Sequence, residues 1–131
     1  MTDLATSLKA RLEASVSRIT ATLEVLTLND LSDAVTDMDA VEIALAKSRS
    51  SWGELFVDVD GHPQLAPFHE EVSESFETFR EAIEEGNQRI TSMIDDGLAD
   101  EGNEEHVQRV MEEEVLPPLD SALQEIQDLI P

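Results

Sequence analysis

Phe68, Val72, Phe76, Phe79, Ile83, Gly86, Ile90 and Met93 follow one another at spacings of four and three residues. A strand would scatter such a set over both faces, whereas an α-helix gathers it into one stripe. The helix has clear ends. Pro67 suits the first helical position, and Glu70 and Glu71 fall in the first turn, where negative charge is favourable. In "MIDDGL", Gly97 fits the left-handed position just past a helix, and Leu98 can fold back onto Met93 as in a Schellman motif. A helix so bounded has about 30 residues and spans about 45 Å. That length in a chain of 131 residues predicts an elongated bundle, or packing against another subunit. Gly86 lies on the apolar stripe, where glycine costs about 1 kcal/mol of helix stability. Its expected return is the close approach of a neighbouring helix, or a bend.

The rest of the chain is written in the same language. Leu4, Leu8, Leu12, Val16, Ile19, Leu23 and Leu26 predict a first helix to about Thr27, capped by Thr2 or Asp3. "TLND" interrupts it, and Asn29 or Asp30 can cap a second helix. That helix carries Leu31, Val35, Met38, Val41 or Glu42, Leu45 and Ser48, and runs to about Ser50. The short break predicts an antiparallel hairpin. Ala34, Ala40, Ala44 and Ala46 make the second helix small-sided. After the turn "ADEGN", Asn103 can cap a further helix with Val107, Val110, Met111 and Val115 inward. Pro117 and Pro118 must break or kink it near Leu116. Leu119, Leu123, Ile126 and Ile130 then form a last amphipathic stripe, able to dock on its own bundle or on a neighbour. The expected fold is all-α: a single helical domain over residues 1–131, built as an elongated four-helix bundle of two hairpins with a Pro-kinked C-terminal helix.

Between the hairpins, Ser51 to Ala66 departs from the helical pattern. "FVDVDGHPQLAPFHE" could be a calcium loop, a metal site, a β-hairpin or a connector. An EF-hand needs oxygen ligands at positions 1, 3, 5 and 12 around a glycine at 6. With Gly61 at that glycine, Asp58 and Asp60 fit, but Phe56 and Pro67 stand where the first and closing ligands belong. Calcium binding of that kind is excluded. "ELFVDV" alternates like a strand and "DG" is a strong turn signal, so a short β-hairpin is favoured over an irregular connector. Trp52, Leu55, Phe56 and Phe68 would anchor it. Asp58, Asp60 and His62 would lie exposed at its turn, as contacts for a partner.

No catalytic chemistry stands out. There is no cysteine, no H-E-x-x-H, no Walker A loop, no G-x-G-x-x-G and no G-x-S-x-G. His62, His69 and His106 read as single surface histidines. A site formed by His62 and His69 with Asp60 or Glu70 is the one alternative a folded connector could create. The arginines are scattered rather than striped, so direct nucleic-acid binding is not expected. No segment has the apolar length of a membrane span, and the N-terminus lacks the order of a signal peptide. A soluble, cytoplasmic and unprocessed chain without a cofactor is expected.

Charge bears on habitat. Asp and Glu number 30 against 8 Lys and Arg, a formal net charge of −22, and only Lys9 and Lys47 are lysines. Acids spread over nearly every segment, with lysine almost eliminated, point to a salt-saturated, haloarchaeal setting, of cell, plasmid or virus. There the Debye length is only about 3 Å and self-repulsion is screened. The expected function is a non-enzymatic structural or adaptor protein that binds a protein partner or its own copies through helical stripes. Size and helical content are similar to those of small adaptors in larger assemblies, including the head–tail connectors of tailed viruses, which would place it in a virion. The alternative is an acidic regulator, such as a DNA mimic or an inhibitor of a basic partner.

Overall fold

The structure, a computed structural model, describes residues 3–98 and 102–130. It is all-α, with no strand among the described residues. Helix α1 spans Leu4–Glu24 and α2 spans Leu31–Gly53. A short α3, Phe56–Asp60, leads into α4, Ala66–Asp95. The last helix is composite: α5, Glu104–Val110, then a π-helical turn over Met111–Val115, then α6, Leu116–Asp128. α1 and α2 form one hairpin, α4 and the composite helix the other, and α2 and α6 both pack on α4. No helix among the described residues is long and apolar enough to cross a membrane.

Local chemistry sets the helix ends. Asp3 accepts a hydrogen bond from the Ala5 N–H (3.3 Å) at the start of α1, and Asp30 accepts from Ser32 (3.0 Å) at the start of α2. Thr2, the other candidate cap, and residues 99–101 of the expected turn lie outside the described residues. At the end of α4 the expected Schellman closure forms. The Leu98 N–H reaches the Met93 carbonyl (3.0 Å), the Gly97 N–H reaches that of Ile94 (3.0 Å), and Gly97 has φ +81°. α2 runs three residues past Ser50 and carries Trp52 into the core, while Ala34 rather than Val35 faces inward.

The core is one apolar cluster fed by all the long helices. Every stripe residue of α4 from Val72 to Met93 is buried. Gly86 sits where three elements converge. A Cβ there would lie 3.1 Å from a Val115 methyl and 3.2 Å from the Met38 terminal methyl. The glycine therefore serves close approach on both sides, which offsets its cost within the helix.

The double proline does not end the last helix. Pro117 and Pro118 occupy its first turn after the π-turn, where the Leu116 N–H bonds back to the Met111 carbonyl, five residues earlier. The longer turn also keeps the apolar face in phase. Val107, Met111, Val115 and Leu119 are spaced by four, and such a row drifts about 40° per step around an ideal α-helix of 3.6 residues per turn. All four are nonetheless buried, because the π-turn takes up an extra residue.

The scarce cations tie helices together. Arg11 of α1 donates to the Ser51 carbonyl near the end of α2 (2.7 Å) and pairs with Glu54 (3.0 Å). Arg49 of α2 pairs with Glu77 of α4 (3.2 Å), and Arg89 of α4 pairs with Glu114 (2.9 Å). Exposed pairs of this kind add little stability each, but they orient the helices.

Candidate interaction site

The connector is helical, and the expected β-hairpin does not form. Ser48, Trp52, Leu55 and Val59 are spaced by four, three and four, and all are buried. That helical period overrides the alternation of "FVDV". Gly61 has φ −82°, in the right-handed region, so Asp60–Gly61 cannot be the type I′ turn, which needs φ > 0 at both central residues. The His62 N–H donates to the Val59 carbonyl (2.8 Å), and the Leu65 N–H to the His62 carbonyl (2.9 Å), bringing the chain round to α4.

A reciprocal tie holds this corner. The Trp52 indole N–H donates to the His69 carbonyl (3.1 Å), and the His69 Nε2–H donates to the Trp52 carbonyl (2.9 Å). The second bond fixes the proton on Nε2, since a carbonyl can only accept. The two rings stack with centroids 4.9 Å apart and planes 8° apart. Phe68 and Phe76 meet the indole edge-on at 6.0 and 6.5 Å. The end of α2 is thereby locked to the start of α4. His69 is a core residue, which corrects its reading as a surface histidine.

With Leu55 and Val59 inward, Phe56 and Val57 are turned out, and they are 60% and 79% exposed. Phe56 is thus not the buried anchor expected of it. Its ring lies 6.2 Å from that of His69, on the rim of a depression of about 360 Å³ also lined by Val59, Ala66, His69 and Glu70. Asp58, Asp60 and His62 are exposed at the same corner, where they were expected. Asp58, Asp60 and Glu70 have no ion-pair partner among the described residues. His62 turns its Nδ1 to the Asp58 carbonyl (3.0 Å).

The C-terminal stripe is placed differently. Leu119, Leu123 and Ile126 are buried in the chain's own core, and Ile130 packs partly buried against it. These residues are not an open docking stripe, because α4 and α1 already cover them. The His62–His69 metal site is not assembled, since His69 Nε2 is engaged by Trp52. Among the described residues no group of three or more His, Asp or Glu is placed to hold a metal.

Two larger depressions flank α4. One, of about 680 Å³, includes Glu42, Arg80, Glu84 and Thr91. The other, of about 500 Å³ at the far end, includes Glu85, Arg89, Asp96 and His106. Their walls are largely polar and open. Glu70, Glu74, Glu77, Glu81 and Glu84 form a row along α4, but the row is interrupted. Arg80 binds both Glu77 and Glu84, at 2.6 and 3.1 Å. The hydrogen bond from Arg80 holds the Glu77 carboxyl below its ordinary range, with Arg49 adding to the effect.

No protein-family model matches this chain, and neither a curated protein nor a solved structure matches it.

Proposed function

We propose that this is a non-enzymatic interaction protein, an adaptor that docks a protein partner through the corner formed by α2, α3 and the start of α4. The observation that carries the reading is the pair Phe56–Val57. Two adjacent apolar side chains stand in solvent on a short helix whose other face is locked into the core. A folded chain that hides Leu55 and Val59 but presents their neighbours offers a ready contact. The helical stripes, first expected to make the contact, are already covered within the chain.

The acidic, lysine-poor composition supports a haloarchaeal setting, in a cell or in a virus particle, where a connector-type role in the virion is the concrete form of the adaptor reading. Arg80 and Arg49 neutralise the middle of the glutamate row on α4, which tells against a DNA mimic, whose carboxylates would have to stand free.

The test is the mass of the native particle, purified from its source at molar salt, for the wild-type chain and for the Phe56→Ser/Val57→Ser variant. The expected result is a complex for the wild type and its loss in the variant. A clean monomer for both would overturn the reading. Dilution to low salt is expected to unfold the isolated chain as repulsion among its acids is unscreened.

A further inference from the structure

We infer that the occupant of this corner is a short basic amphipathic segment of another protein, with one bulky apolar side chain seated beside Phe56 and Lys or Arg opposite Asp58, Asp60 and Glu70. The inference rests on the corner being a contact surface and adds what it contacts. Charge selects the partner. From Ser50 to Phe79 the sequence has no Lys or Arg, and Arg11, which reaches this end from α1, is committed to Glu54 and Ser51. The rim carboxylates are therefore left unpaired beside an apolar floor of Val59 and Ala66, open to a cation at contact distance, the range over which charge still acts in molar salt. Opposite charge at such a rim speeds and orients docking, while the apolar contact holds it.

A second copy of the chain fits poorly. Symmetric pairing would bring the unpaired carboxylates of this rim into contact with one another. The depression and the two exposed side chains are also small beside the roughly 800 Å² per partner of a standard interface. That scale suits one anchored segment rather than a globular face. A basic side chain there also meets the exposed face of Phe56, a favourable cation–π contact.

The experiment uses the full chain, isotope-labelled for NMR, at a salt concentration that keeps it folded. It is titrated with two synthetic helical peptides of identical leucine spacing, one flanked by lysines and one by glutamates. The lysine peptide is expected to saturate, with amide shifts concentrated between Trp52 and Ser73 and a change in Trp52 fluorescence. Phe56→Ser/Val57→Ser is expected to weaken it more than about tenfold, and Asp58→Asn/Asp60→Asn/Glu70→Gln by about as much. Shifts spread along the acids of α4 and α6, or an affinity indifferent to the Phe56/Val57 change, mean general attraction and overturn the inference. Equal binding of the glutamate peptide at the corner also overturns it. If neither peptide binds while the native complex still depends on Phe56, the inference fails and the contact reading stands.

Discussion

The two ends of α4 are closed in opposite ways. At the C-terminal end the backbone closes itself: Gly97 turns left-handed, and Leu98 and Gly97 bond back to Met93 and Ile94. At the N-terminal end there is no side-chain cap. The helix starts at Ala66, one residue before the expected Pro67, and Trp52, 17 residues away in sequence from His69, holds it in place. A self-closed end needs no neighbour, and the apolar residue it leaves exposed, Ile94, belongs to its own helix. An end held from a distance brings a second segment with it, and the residues of that segment that miss the core become surface. Phe56 and Val57 are such residues.

The largest effect should come from the distant tie. Trp52→Ala is expected to cost about 3–5 kcal/mol, read by urea unfolding at molar salt. A loss below about 1 kcal/mol would mean that the two ends do not differ in the way described. Next, His69→Ala should cost about 2 kcal/mol, from one stacked ring and one hydrogen bond. His69→Phe keeps the stack and should recover about half of that. If His69→Phe recovers the whole loss, the Nε2–H bond is not part of the tie; if it recovers none, the stack is not. At the other end, Gly97→Ala should cost about 1–2 kcal/mol through φ alone, since an added Cβ meets nothing within 4 Å. The loss should appear as fraying of the last turn, with Trp52 fluorescence unchanged. The smallest effect on stability belongs to Phe56→Ser/Val57→Ser, within about 0.5 kcal/mol. A larger loss in the isolated chain would show that these side chains serve the fold rather than a partner.

The same contrast governs what was legible beforehand. The stripe of α4, its stop at Gly97, the close approach at Gly86 and the pairing into hairpins all follow from spacings within one helix, and all are present. The connector carried two periods at once. Val57 and Val59 alternate, while Trp52, Leu55 and Val59 repeat at three and four. Only packing decides between such patterns, and the core took the second. The tie between Trp52 and His69 left no local trace, because a histidine in a first turn ordinarily faces water. Asp58, Asp60 and His62 lie exposed, as polar residues around a turn signal imply, whereas Phe56 beside them, expected in the interior, is turned out. The stripe of Leu119, Leu123 and Ile126 was readable as amphipathic, and periodicity alone does not say whether the covering partner is the chain itself.

The π-turn before Pro117 has a consequence for how the molecule opens. Two successive residues there lack an N–H, so the carbonyls of Glu113 and Glu114 have no donor four residues on. The composite helix is one rod in shape, yet its hydrogen-bond ladder is interrupted near the middle. Amide exchange should divide it there, with α6 exchanging as a unit of its own while α5 stays protected to a different degree. The prolines thus set a seam along which the C-terminal helix can lift from α4 and α1 without unwinding the rest.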